Sequence, residues 1–259
     1  MRRKLSIVKI GGNIINDEKK LQSFLNDFSA LESLKILVHG GGKKATDLAV
    51  SLGLETNMVD GRRITDKANL EIVTMVYAGL LNKNIVAKLQ ANNCNAIGLT
   101  GADANVIKAH KRIVKDIDYG FAGDIDAIDD VTLRLFLTNG IVPVFSAITH
   151  DQKGQLLNTN ADTIAGELAK GLASAYEVEL IYCFEKNGVL LHIDDDDSVI
   201  ERINKEKYAQ LKAEKIIAAG MLPKLENCFE SLENGVEKVI IGKPELIQNR
   251  SMKHTTLTL

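Results

Sequence analysis

The sequence predicts an α/β fold, a mostly parallel sheet wrapped by helices. Short β-branched runs alternate with longer segments of helical period, and the connections between them are short. The runs are apolar along their length, as strands covered on both faces are, instead of alternating apolar with polar. A chain of 259 residues can build one large domain or two lobes from such units, and either buries a sizeable core.

Leu5–Ile10 reads as the first strand and Lys35–Val38 as the second, with Leu21, Phe24, Leu25, Phe28 and Leu31 at helical spacing between them. Ala45, Leu48 and Leu52 mark the next helix. A long helical pattern then runs from Thr65 to Asn92, capped by Thr65 or Asp66 and carrying Leu70, Val73, Tyr77, Leu80 and Leu81. Gly79 inside it admits a break or bend. Ala96–Leu99 is the third strand. Lys108–Asp118, free of glycine and rich in charge, reads as an exposed hairpin or excursion. Ile141–Phe145, Val178–Cys183 and Val236–Ile241 complete the strands. The helix from Ala161 to about Ala173 carries Ile164, Ala165, Leu168 and Leu172 on one face, and the last helix bears Leu225, Phe229 and Leu232. Asp194–Asp197 is a run of four carboxylates, either a cation site or a solvated turn. No Pro- or Ser-rich linker divides the chain, so a lobe boundary is expected between Asn160 and Gly171.

Composition narrows the function. Lys and Arg number 32 against 34 Asp and Glu, a net charge of −2, which argues against nucleic acid as the main partner, since neutralising phosphates needs a basic face. Aromatic residues are 5% and Trp is absent, too few for a base-stacking platform. Cys94, Cys183 and Cys228 are odd in number and far apart, as in a reduced cytosolic protein. The basic start at Arg2-Arg3-Lys4 is followed by an apolar run that stops at Lys9, short of a secretory core of about 7–15 residues. No stretch reads as the roughly 18 apolar residues of a membrane span. A soluble cytoplasmic protein with neither nucleic-acid nor membrane partner is expected.

Five of the 20 glycines fall on two strand ends: Gly11-Gly12, and Gly40-Gly41-Gly42. A strand, then glycines, then a helix start leaves backbone N–H groups free and lets an anion approach them closely. Tight turns needing positive φ are the alternative. The carboxyl ends of parallel strands are where such sheets bind ligands, which favours the anion. Neither loop follows the commoner phosphate patterns. Ala45 takes the last position of Gly-x-Gly-x-x-Gly, and a Walker A loop would need Gly at 37 and Ser or Thr at 44, where Leu37 and Lys44 stand.

Three polar clusters accompany the loops. Gly61-Arg62-Arg63-Ile64-Thr65 sets two guanidinium groups before a helix, suited to gripping a carboxylate bidentately or simply to being solvated. In Asn158-Thr159-Asn160-Ala161-Asp162, Asn160 makes a helix cap and Asp162 suits the first-turn dipole, while Asn158 has no structural account. Gly220-Met221-Leu222-Pro223-Lys224 precedes the last helix, where Lys224 taken alone reads as a surface lysine.

Lys9-x-Gly11-Gly12, His39-Gly40-Gly41-Gly42, Gly61-x-Arg63, Asn158-x-Asn160-Ala161-Asp162 and Gly220-Met221-x-x-Lys224 occur in order between residue 4 and about 242. Together they resemble the acetylglutamate kinases, of the amino acid kinase fold. Gly98-x-x-Gly101-x-Asp103 and Gly120-Phe121-x-Gly123 are similar to further segments of that family. The resemblance implies a three-layer αβα sandwich in two lobes. Residues 1–165 would bind the acyl-glutamate and dimerise, and residues 166–259 would bind ATP. It also implies the short homodimeric form, without the extra N-terminal helix of the arginine-inhibited hexamers.

For the site, the resemblance implies that Lys9 and Lys224 neutralise the phosphoryl group in flight and that Asp162 holds both lysines. Gly11 and Gly12 would present amides to the phosphate, Gly40 and Gly41 would line the acyl-glutamate site, and Arg63 and Asn158 would grip that substrate. Glu185, Gly188, Ile216 and Ala218 would contact ATP. Mg2+ would ride on the ATP phosphates, with no metal ligand from the protein. The reaction implied is phosphorylation of the γ-carboxylate of N-acetyl-L-glutamate, or a close N-acyl-glutamate such as N-succinyl, for arginine biosynthesis. A γ-carboxylate with a reference pKa of about 4.3 is already an anionic nucleophile, so no general base is needed, and His39 would orient its glycine loop. The chain departs from the family at Phe184-Glu185-Lys186-Asn187-Gly188-Val189, where Thr/Ser-Asp-Val-x-Gly-Val is usual, and at His254-Thr255, where Gly-Thr is usual. Two alternatives stand beside this reading: a kinase of the same fold for aspartate, glutamate, carbamate or uridylate, and a non-catalytic metabolite sensor. Arg63 with the Asn158 motif favours the acyl-glutamate enzyme, and the joint presence of Lys9, Asp162 and Lys224 argues against a sensor.

Overall fold

In the first strand, β1 (Arg3–Ile10), every side chain from Leu5 to Ile10 is buried, although neighbours along a strand point to opposite faces. Both faces of the sheet are therefore covered, and β1 lies in the middle layer of an αβα sandwich. The computed structural model describes residues 2–59, 61–214, 216–217 and 221–259. After β1 come α1 (Gly12–Ile15), α2 (Glu18–Ser29), β2 (Leu34–His39) and α3 (Gly42–Ser51). A small ribbon of β3 (Met58–Val59) and β4 (Arg62–Arg63) leads into α4 (Lys67–Val73), which continues through a π-helical stretch, Thr74–Leu81, into α5 (Asn82–Ala91). β5 (Ala96–Leu99), β6 (Ile107–Lys111), β7 (Gly123–Ile128) and α6 (Asp130–Thr138) follow, then β8 (Val142–Ser146), β9 (Ile148–His150) and β10 (Leu156–Asn158). The remainder is α7 (Ala161–Leu172), β11 (Tyr176–Cys183), β12 (Arg202–Ile203), α8 (Lys205–Ala213), α9 (Leu222–Glu233), β13 (Lys238–Gly242) and β14 (Thr255–Leu257).

The main sheet has the order β12-β14-β13-β11-β1-β2-β8-β5. The six strands expected from the sequence are its six mutually parallel members; β14 runs antiparallel to β13, and β12 follows β14. The chain leaves β1 toward β2 on one side and leaves β11 toward β13 on the other. A topological switch point therefore lies between β1 and β11, where open α/β sheets bind ligands at their carboxyl ends. Ile10 there pairs with Cys183 and with His39. A second sheet, β10-β9-β6-β7, stands beside these ends. Its β6–β7 pairing shows that the charged stretch after Lys108 begins as one arm of a hairpin, with Arg112–Asp118 outside any strand.

Local chemistry sets the helix starts. Asp66, not Thr65, caps α4, its carboxylate accepting from the Asn69 amide at 2.7 Å. Asn160 caps α7 by accepting from the amides of Asp162 (2.7 Å) and Thr163 (3.2 Å). α2 buries Leu21, Phe24, Leu25 and Phe28, and α7 buries Ile164, Ala165, Leu168, Ala169 and Leu172. In β8, Phe145 is fully buried, and truncating it to alanine would cost about 3–5 kcal/mol.

One expectation is corrected: the continuous helix Lys67–Ala91 is long and apolar enough by length and composition to cross a membrane. Polar residues along it, among them Asn69, Glu71, Thr74, Asn82, Lys83, Asn84 and Lys88, hide its apolar total from a reading by uninterrupted runs. In the fold it packs against α2, α3, β5 and β8. Asp194–Asp197 lies in a turn whose carboxylates meet lysines, Lys186–Asp196 at 2.7 Å and Lys253–Asp197 at 3.1 Å. All three cysteines are free and buried. Burial pushes the Cys183 thiol up to about 12 and raises Cys228 as well, so both stay protonated.

Candidate active site

At the switch point the end of β1 meets the first turn of α7. Lys9 Nζ lies 2.6 Å from Asp162 Oδ1, and Lys224 Nζ, from the start of α9, lies 3.9 Å from Asp162 Oδ2. Burial alone would raise the Asp162 carboxyl, but the charge and hydrogen bond of Lys9, with the charge of Lys224, outweigh it and hold the group below the usual carboxylate range. The N-terminus of α7 adds a favourable dipole. Tyr182 fixes the backbone beneath, its hydroxyl donating to the Asp162 carbonyl at 3.1 Å. The Lys9 and Asp162 side chains are 11% and 16% exposed, whereas Lys224 is 40% exposed and has the freedom to meet a ligand.

Beside this trio lies a cleft of about 160 Å³, lined among others by Gly40, Gly41, Arg63, Tyr77, Asn158 and Ala161. Arg63 is buried and spans the cleft floor. Its Nη2 donates to the Gly42 carbonyl (3.0 Å) and to Thr46 Oγ1 (2.7 Å), while its buried Nε has no protein partner. Burial raises the Tyr77 phenol, and the adjacent Arg63 cation offsets part of the rise. Asn158 Nδ2 donates to Thr65 Oγ1 at 2.9 Å. Gly120 sits next to that threonine at φ +67°, where a Cβ would strike the Thr65 carbonyl, so the close approach of the two segments needs glycine. Arg112, on the far wall, holds Asp124 with its Nε 3.1 Å from both carboxylate oxygens.

The loop that carries Gly40 and Gly41 is held from below. His39 is fully buried; its Nδ1 meets the Gly40 carbonyl (2.8 Å), and its Nε2 meets Asn82 Nδ2 (3.1 Å). Burial lowers this imidazole to about 4, with the nearby Lys83 charge acting the same way and the Gly40 hydrogen bond opposing. A neutral ring that donates at Nδ1 and accepts at Nε2 satisfies both contacts, and neither nitrogen is left for proton transfer. Asn82 also donates to the Val144 carbonyl at 3.0 Å, tying α5 to β2 and β8. A Cβ on Gly41 would run into Leu81 and Tyr77, so glycine lets the loop lie against the long helix.

A second cavity of about 680 Å³ is lined by Phe184–Lys186, Gly188–Asp194, Ile216, Ile217 and Met221. Its apolar walls carry Leu190, Leu191 and Ile193. Phe184 touches both this cavity and the trio, its ring centroid 4.4 Å from Lys224 Nζ.

The structure thus gathers the residues singled out from the sequence into three places. Lys9, Asp162 and Lys224 meet; Gly40, Gly41, Arg63 and Asn158 line the first cleft; Glu185, Gly188 and Ile216 line the second. Gly11 and Gly12 line neither cavity. They form the turn from Lys9 into α1, with Gly11 at its N-terminal cap position. Ala218 and Gly220 lie outside the described residues. Thr46, Asn69, Tyr77, Asn82 and Arg112 join the site unannounced by any motif: Asn69 meets Arg63 six positions away, whereas Thr46 reaches the same Arg63 across 17 positions and Asn82 reaches His39 across 43. The helical spacing that flagged Tyr77 as a buried position was the one available signal. Among the described residues no three His, Cys, Asp or Glu are grouped to hold a metal.

A sequence model of the amino acid kinase family matches residues 4–243 of the chain. The acetylglutamate kinase of Phocaeicola vulgatus is 57% identical over 251 residues, covering 97% of this chain and 98% of that protein. The acetylglutamate kinase of Bacteroides fragilis is 54% identical, covering 93% and 92%. Among solved structures, that of smu.665 from Streptococcus mutans superposes with a TM-score of 0.79 at 26% identity, over 98% of both chains.

Proposed function

This chain belongs to the amino acid kinase family, and from that premise we propose that it phosphorylates the γ-carboxylate of N-acetyl-L-glutamate with ATP, forming the acyl phosphate used in arginine biosynthesis. The observation that carries the reading is the position of the Lys9–Asp162–Lys224 trio: Ala161, next to Asp162, lines the first cleft, and Phe184, against Lys224, lines the second. A phosphoryl group passing from one cavity to the other crosses two ammonium groups. Lys9 and Lys224 offset charge on its equatorial oxygens, and Asp162, kept ionised, holds them in line. The acceptor carboxylate arrives as an anion and needs no base, in keeping with a His39 whose nitrogens are both engaged.

In the first cleft, Arg63 with its free Nε is the partner for a substrate carboxylate, with Asn158 and the amides of Gly40 and Gly41 around it. In the second, Glu185, Gly188 and Ile216 face the nucleotide, while Gly11 and Gly12, outside both linings on the turn after Lys9, present amides to the phosphates. Mg2+ enters with ATP as part of that substrate: Asp162 is already committed to two lysines. The partition into residues 1–165 for the acceptor and 166–259 for ATP draws support from the linings. The first cleft uses residues 40 to 161 and the second residues 184 to 221. Homodimerisation through the first of these lobes is in keeping with the exposed Met75 and Leu80 on the long helix. Buried free thiols accord with a cytoplasmic setting.

Hydroxylamine trapping tests the reading. With MgATP, N-acetyl-L-glutamate should give hydroxamate and release ADP in equal amounts. N-succinyl-L-glutamate, glutamate, aspartate, carbamate and UMP serve as competing acceptors. No product from either acylated glutamate, with turnover of another acceptor, would move the chain to a different kinase of the same fold.

A further inference from the structure

Phe184 directly follows β11, at the switch point, and its amide donates to the Gly242 carbonyl at 2.7 Å. Tyr182 and Phe184, two residues apart, share one face of the strand, and their rings stack with centroids 6.2 Å apart and planes 15° apart. The Phe184 ring lies under both ammonium groups of the trio, 4.4 Å from Lys224 Nζ and 5.9 Å from Lys9 Nζ. Asp162 reaches the same two nitrogens with its carboxylate. Two cations are thus held between one carboxylate and one aromatic face.

We propose that Phe184 is a positioning residue for phosphoryl transfer: its π face orients Lys224, and secondarily Lys9, without cancelling their charge. The argument is electrostatic and rests on the kinase reading above. Two ammonium groups repel, and Asp162 alone leaves the trio with a net charge of +1. A second carboxylate would orient Lys224 as well, but it would bring the trio to neutrality and repel the incoming phosphoryl anion. An aromatic quadrupole attracts a cation with no net charge of its own. It therefore steadies the partly exposed Lys224 while preserving the positive field aimed at the transferring group. Rigidity comes from Tyr182, whose ring backs Phe184 and whose hydroxyl is fixed to the Asp162 backbone.

The test separates ring electronics from ring shape. Phe184→Leu should lower kcat about tenfold with both substrate KM values within about twofold, and Phe184→Tyr should restore most of the loss. Replacing Phe184 by mono-, di- and trifluorinated phenylalanine keeps the shape while draining the π face, and kcat should fall in step with the number of fluorines. Equal kcat across the fluorinated series overturns the proposal. A second readout does not depend on activity. With 13C-labelled lysine, assigned through Lys224→Arg, the Lys224 ε-methylene resonance should be shifted upfield in the unmodified protein and released in Phe184→Leu. An unshifted resonance in the unmodified protein also overturns the proposal. Failure of the unmodified protein to form any acyl phosphate would instead count against the kinase reading, while the resonance still decides the ring–lysine contact.

Discussion

Lys9 at the end of β1 and Asp162 in the first turn of α7 form a 2.6 Å ion pair that is largely shut away from water. Desolvating two charges is offset only by close geometry, and removing one partner strands the other. Asp162→Asn should cost about 3–5 kcal/mol of stability in urea unfolding, and kcat should fall roughly 100-fold or more as both lysines lose their anchor. An unchanged kcat would remove Asp162 from the transfer machinery.

The same pair has a pH signature. The folded-state Asp162 carboxyl lies below its unfolded value, so its contribution is complete above that unfolded value near 3.8 and is lost as pH falls through the folded one. Comparing acid unfolding of the unmodified protein with Asp162→Asn should show the variant losing less stability below about pH 4.

Lys224 is much less buried than Lys9, so Lys224→Ala should leave the unfolding midpoint nearly unchanged while kcat drops by about two to three orders of magnitude. A matching loss of stability would show that it serves the fold instead.

A substitution at Arg63 should separate the two substrates. Arg63→Ala should raise the KM for acetylglutamate about 10- to 100-fold and leave that for ATP within about twofold. Some stability should go too, because the guanidinium joins β4 to Gly42 and Thr46. An effect confined to ATP would contradict the assignment of the first cleft.

His39 predicts a dependence of opposite origin, a base kept neutral by burial. Its pKa is near 6.5 when unfolded and about 4 when folded, so between these values the unfolded chain binds a proton the folded chain refuses. Stability should therefore fall as pH drops from 6.5 toward 4, by up to about 3 kcal/mol from this site. His39→Gln should flatten that part of the urea-unfolding profile and leave the carboxylate-driven part intact.

The parallel core was legible because strands buried on both faces, such as Leu5–Ile10 and Val178–Cys183, leave unbroken apolar runs. β12, with two residues, and β14, with three, are too short for any period, and their pairing is decided by the sheet edge they meet. β9 and β10, with three residues each, are illegible for a similar reason, and Asn158, which the sequence leaves without a structural account, reaches Thr65 on a different segment. Lys9, Asp162 and Lys224 could be listed from their motifs, but their meeting is a property of topology. Asn82 reads as an ordinary polar position on a helix, and only the folded chain shows it linking His39 to Val144.

The π-helical stretch Thr74–Leu81 sets a rotational phase between two halves of one helix. Upstream, Asn69 faces Arg63 beside the first cleft; downstream, Asn82 faces His39 and β8. An α-helix turns about 100° per residue, and a π turn absorbs one residue more than an α turn. Deleting one residue between Thr74 and Leu81 would let the stretch close as plain α with Asn69 and Asn82 near their present facings, whereas deleting one between Leu70 and Val73 would swing Asn82, Ile85 and Leu89 by about that angle relative to Asn69. A one-residue deletion should thus be borne far better inside this segment than in the α-helical turn before it.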